Sequence, residues 1–130
     1  MRVLLCLLLA GCGGSTTAFG DPMLTRRGGG CGATEGIVLL GWTIRGAAPS
    51  STSCQGIDHL SVDIDAGGCG ATIAPVPCAL DRWRYDHMPE GSIVATVNAL
   101  SASGGIVASG SAQLNLTTAV PSSPAPIDLQ

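Results

Sequence analysis

Lysine is missing from this chain of 130 residues, and all six of its cations are arginines. Charged residues make up only 12%, and nine carboxylates outnumber the cations. No basic patch therefore exists to grip a phosphate backbone, which argues against nucleic acid as a partner. Aromatics are nearly as scarce: one Tyr, one Phe and two Trp are too few for the ring platforms on which sugar-reading and peptide-reading faces depend. No segment keeps apolar residues at helical spacing for three turns, which leaves strands as the building material. There is no run of about 20 apolar residues to cross a bilayer. A Gly-x-Ser-x-Gly nucleophile elbow is absent too.

What is present begins at the N-terminus. Met1 and Arg2 form a short positive segment, Val3 to Ala10 form an apolar one, and Leu9-Ala10-Gly11-Cys12 closes it, the order of charge and hydropathy of a secretory signal. This N-terminus resembles that of bacterial lipoprotein precursors. The resemblance implies that residues 1–11 are removed as a signal peptide, that the thiol of Cys12 receives a diacylglyceryl group, and that its freed amino group is acylated, with palmitate as a typical chain. Each CH₂ buried in a bilayer contributes about 0.8 kcal/mol, and while one chain binds reversibly, several anchor a protein almost permanently. Gly13, not Asp, follows the cysteine, which in the sorting rule of such lipoproteins implies the outer membrane, on its periplasmic or cell-surface face.

Residues 12–30 carry Gly, Ser and Thr with little apolar periodicity, and are expected to form a flexible tether. Residues 31–130 are then one domain of the smaller common size. Without Arg2, five arginines face nine carboxylates, a net charge of about −4 that suits solubility and names no partner. From Gly36 the pattern turns to period two. Val38, Leu40, Trp42 and Ile44 share one face, predicting a first strand over Gly36 to Arg45 with Trp42 as its core anchor. Leu60, Val62 and Ile64 alternate with Ser61, Asp63 and Asp65, a strand with one dry and one wet face. Gly67-Gly68 turns it back into Gly70 to Ala74, which Pro75 and Pro77 are expected to end because neither ring can donate to a ladder. Arg82 to Asp86 is a short strand, and Ile93 to Leu100 joins Ile106 to Leu116 through Ser103-Gly104-Gly105 as a long hairpin. Ile127 to Leu129 is either a terminal edge strand or a frayed end.

Strands at roughly ten-residue intervals predict an all-β antiparallel sandwich. Trp42 on the first strand, a cysteine in the loop after it and another before the middle strands are its first markers. Met88-Pro89-Glu90-Gly91-Ser92 opens a strand, and Gly104-Gly105 leads into Ala108-Ser109-Gly110. Over Gly36 to Leu116 this arrangement resembles the immunoglobulin-like or transthyretin-like domains of bacterial surface lipoproteins. Ile93 stands where such a strand usually has an aromatic. The resemblance implies a fold and no activity.

Four cysteines remain in what would be an oxidising compartment once Cys6 leaves with the signal and Cys12 is lipidated: Cys31, Cys54, Cys69 and Cys78. Their spacings of 23, 15 and 9 lack the close Cys-x₂-Cys pair of structural zinc, so no metal is expected. Cys54 and Cys78 flank the open end of the hairpin built on Ile57 to Asp65, while Cys69 sits at its tip. If the first strand pairs antiparallel with Ile57 to Asp65, Cys31 lies near that tip as well. The expected bridges are Cys54 with Cys78 and Cys31 with Cys69, because other pairings reach across roughly eight strand residues, about 27 Å.

Candidate functional residues are few. Asp58, Asp63 and Asp65 carry oxygens suited to calcium, but no glycine-turned loop of alternating carboxylates frames them, and Asp63 and Asp65 read more simply as a solvated strand face. His59 or His87, with Asp58, Asp81 or Asp86 and a serine, is the alternative of a periplasmic or surface hydrolase. Arg82, Trp83, Arg84, Tyr85 and His87 form the one dense polar and aromatic stretch, a composition typical of partner-binding hot spots. A strand with Trp83 and Tyr85 turned to the core and the arginines to water accounts for the same residues. The sequence thus points to a lipid-anchored envelope protein with a structural or protein-binding role, no catalytic site and no cofactor.

Overall fold

A computed structural model describes residues 23–27, 36–67, 69–80, 82–88, 90–117 and 125–130, with backbone alone at 23–27, 86 and 87. The protein is all-β: among the described residues there is no helix, and the elements are β1 (Met23–Arg27), β2 (Gly36–Leu40), β3 (Trp42–Ile44), β4 (His59–Asp65), β5 (Gly70–Val76), β6 (Trp83–Met88), β7 (Gly91–Leu100), β8 (Ile106–Leu116) and β9 (Ile127–Leu129). The largest sheet has the order β1-β5-β4-β7-β8, and two ribbons, β2-β6 and β3-β9, complete the framework. All pairings are antiparallel except β3 with β9.

The two hairpins fall where glycine turns were expected, β4 into β5 and β7 into β8. At the second, Ser101 and Gly105 close the turn with a 2.8 Å bond, and Gly104 adopts the left-handed φ of 92° that a residue lacking Cβ takes without strain. Three expectations need correction. Met23–Arg27, read as tether, is a strand on the outer edge of β5; five residues between Asp21-Pro22 and Gly28 are too few for alternation to reveal. The first strand does not pair with Ile57 to Asp65, because both edges of β4 are taken by β5 and β7. It breaks instead at Gly41, and its halves pair separately with β6 and β9. Period-two patterning fixes which face is buried and leaves the neighbour open. Finally, β5 continues through Pro75 to Val76. A register shift between Leu60 and Val62 places an extra β5 residue there, and a bulge is one place a sheet tolerates a residue that cannot donate.

One core unites the sheets. Val38, Leu40, Trp42 and Ile44 pack with Leu60, Val62, Ile64, Ile73, Ile93, Val97 and the two C-terminal apolar residues Ile127 and Leu129. Each such side chain contributes about 1.5–3 kcal/mol when withdrawn from water. The inner face of β8 is built of small residues: Ala108, Gly110 and Ala112 lie opposite Ala99, Val97 and Ala95 of β7. That leaves room for β9 to cross close above β8. Ser109 and Gln130 exchange backbone bonds of 3.1 Å in both directions, and Ile37 donates to the Thr117 carbonyl at 3.2 Å. The end strand of the large sheet is thereby tied to both β9 and β2.

Candidate functional site

Cys54 and Cys78 form a disulfide with Cα atoms 6.1 Å apart, inside the range such a bond requires. The pairing is the expected one, and the reason is also as expected: one cysteine precedes β4 and the other follows β5, so antiparallel pairing brings them together. The bridge is tied to the core, since the Trp42 indole N–H donates to the Cys78 carbonyl at 2.9 Å. Cys69, buried beside the β4–β5 turn, is also disulfide-bonded. Because Cys54 and Cys78 hold each other, its partner lies outside the described residues, as do Cys31 and the predicted lipidation site Cys12.

Strand β6 carries the aromatic and arginine stretch. Trp83 and Tyr85 stand opposite Leu40 and Val38 of β2, half-buried against the core, with their rings stacked at a centroid distance of 5.6 Å and 18° between planes. Arg82 and Arg84 are exposed. Between Tyr85 and Met88 the register shifts by one residue, so Met88, which strict alternation would turn outward, is fully buried. The side chain of His87 lies outside the described residues. The rings thus fill the rim of the core, as the simpler of the two sequence readings has it, and Arg82 and Arg84 are exposed to water.

The other candidates are dispersed. His59 Nδ1 lies 2.8 Å from Asp58 Oδ2, and among the described residues no serine or threonine hydroxyl bonds this histidine. Asp65 accepts from the Gly67 backbone at 3.0 Å and shapes the turn, while Asp63 faces along the sheet. The three carboxylates weighed for calcium are thus not brought together, and among the described residues no group of three metal-donor side chains converges.

Two polar clusters escaped the sequence reading. On the outer face of the large sheet, Thr72 donates to Asp63 Oδ1 at 2.6 Å, Asn98 donates to Asp63 Oδ2 at 3.2 Å, and Ser109 donates to Asn98 Oδ1 at 2.8 Å. This ladder crosses β5, β4, β7 and β8 in turn. The second cluster surrounds Asp128 in β9. Its Oδ1 accepts from the Thr43 hydroxyl at 2.6 Å and from the Gly46 backbone at 2.7 Å, and its Oδ2 accepts from the Gln130 amide. The Thr43 bond, followed by the Gly46 N–H, holds the carboxyl below its ordinary value of 3.8, with partial desolvation acting against them and Gln130 adding to the lowering. Gly46 is available because Arg45 and Gly46, with φ of 47° and 83°, form the two-residue turn between Ile44 and Ala47. Cross-strand partners of this kind are set by tertiary register, and no local spacing announces them.

No protein family, no characterised protein and no solved structure matches the chain.

Proposed function

We propose that the protein is a lipid-anchored component of a bacterial cell envelope, held at the outer membrane through acyl chains on Cys12, with its β domain serving a structural or protein-binding role. Leu9-Ala10-Gly11-Cys12 after a short apolar segment is the observation that carries this reading. The Cys54–Cys78 bridge supports it, because structural disulfides persist in oxidising compartments such as the periplasm and the cell surface. Cys31 is the partner assigned to Cys69. The sheets are read as an immunoglobulin-like or transthyretin-like sandwich, a reading supported by the single core shared between the five-stranded sheet and the β2 and β3 ribbons. Partner binding is assigned to Arg82, Trp83, Arg84, Tyr85 and His87 on β6. The scattering of the histidine and carboxylate candidates, together with a core that among the described residues buries no polar or charged side chain, favours binding over hydrolysis.

Growth of an expressing bacterium with an alkyne-tagged fatty acid tests the anchor. The protein should take up label and sediment with membranes, and Cys12→Ser should lose the label and appear in the soluble fraction. Equal labelling of both forms, or none in either, would contradict the proposal.

A further inference from the structure

Among the described residues four large apolar side chains stand exposed, and three of them, Leu80, Ile106 and Val107, leave the large sheet at one end. Ile106 opens β8 at 61% exposed, Val107 follows at 41%, and Leu80 comes four residues after the end of β5. The register identifies the end: His59, first in β4, is opposite Leu100, last in β7; Leu100 is opposite Ile106; and Leu60 is opposite Val76, last in β5. Val94, the fourth, is opposite Asp65, toward the other end. The hairpin that carries Ile106 and Val107 has no charge of its own, since the sequence from Gly91 to Ile127 holds no Asp, Glu, Lys, Arg or His. An exposed apolar pair on a charge-free turn suits a surface that takes apolar groups out of water. Beside the pair, the exposed Arg45 donates a guanidinium N–H to the Val107 carbonyl at 3.0 Å, which sets a cation at the border of the apolar spot. Asp58, at the same end, lies 2.8 Å from His59, while the exposed Asp65 and Glu90 stand at the opposite end, where β4 finishes and β7 begins.

The apolar end is also the end at which the chain enters from its N-terminal side. β1 runs antiparallel to β5 with Met23 opposite Ala74, so its first residue lies where β5 finishes and β8 begins. Ten residues, 13–22, separate it from Cys12, a length that spans at most about 35 Å. Attachment at Cys12 therefore sets this end of the sheet, rather than the end with Asp65 and Glu90, nearest a bilayer. We propose that the tip of the β7–β8 hairpin docks on a lipid surface, with Ile106 and Val107 entering the interface and the Arg45 guanidinium meeting headgroup phosphate, so that the anchored domain stands on this end of its large sheet. The inference rests on the lipid-anchor reading: two aliphatic side chains give weak, reversible binding by themselves, and they act here as a second signal added to the anchor.

Chemical tethering tests the docking. The chain from residue 12 onward, which keeps every described residue, is coupled through the Cys12 thiol to a maleimide-bearing lipid in vesicles of phosphatidylethanolamine and phosphatidylglycerol, its other cysteines oxidised, and amide hydrogen exchange is followed by mass spectrometry. Because the coupling is chemical, the result does not depend on whether cells acylate Cys12, and a failure counts against the docking and not against the anchor. Residues 101–107 should exchange about tenfold or more slowly than in the same chain coupled to a soluble maleimide, while residues 65–70 at the opposite end keep their rate. The variant Ile106→Ser/Val107→Ser, altered where both side chains already face water, should lose the slowing and retain the exchange pattern of β4 and β7. Equal exchange of residues 101–107 on and off the vesicle, slowing as large at residues 65–70, or slowing that survives in the double variant would overturn the proposal.

Discussion

Gly110 is the residue at which the least chemistry carries the most structure. Its missing Cβ lets β9 pass over the inner face of β8, and the obstacle to any larger residue is the backbone of Asp128 and the Ile127 side chain. Gly110→Ala should therefore destabilise the domain by about 1–3 kcal/mol, the range for overpacking a filled site, despite the small entropic gain from removing a glycine. A fall in the urea midpoint checks this. Asp128 supplies a second prediction. Its folded-state pKa lies below its ordinary value of 3.8, chiefly through the Thr43 hydroxyl. The stability it adds is thus fully present above that ordinary value and is lost as pH falls through the folded-state one. Unfolding followed from pH 5 downward should show a steeper acid loss in the native chain than in Asp128→Asn.

Elements were legible to the extent that alternation revealed them. β4, β7 and β8 lie close to where period two places them, because their inner faces pack against a single core and their outer faces carry Ser, Thr, Asn and Asp. The partners of β2 and β3 were not legible: Val38, Leu40, Trp42 and Ile44 announce a buried face, yet nothing local states that Gly41 divides the strand between β6 and a parallel β9. The bulge in β6 was equally hidden, since only the burial of Met88 beside Trp83 and Tyr85 discloses the extra residue. The aromatic and arginine stretch of β6 was readable as composition, and its geometry was not. Trp83→Ala removes the stack on Tyr85 and part of the core rim, and should cost about 2 kcal/mol, below the range for a fully buried Trp. Equilibrium unfolding measures it, and a change within a few tenths of a kcal/mol would mean that the rings serve the surface alone.

At the scale of the whole molecule, a modest core of aliphatic residues and alanines is braced by covalent bonds. The Cys54–Cys78 bridge closes a loop of 24 residues, and replacing both cysteines with serine should lower stability by about 3 kcal/mol in the loop-entropy account. This bridge was legible because hairpin geometry set two cysteines at one open end. The expected Cys31–Cys69 pairing rested on a strand order that the fold does not adopt; Cys69 is disulfide-bonded, and Cys31 lies outside the described residues. Address and fold came from different signals in the chain. The proposed address rests on a tetrapeptide read as a processing site, and the fold on periodicity.

Mass spectrometry of the mature protein extracted from cell membranes tests the address most directly. The account predicts an N-terminal peptide beginning at Cys12 and carrying a diacylglyceryl thioether and an amide-linked acyl chain. A mature chain that begins elsewhere, or one with Cys12 present as an unmodified thiol, would contradict it.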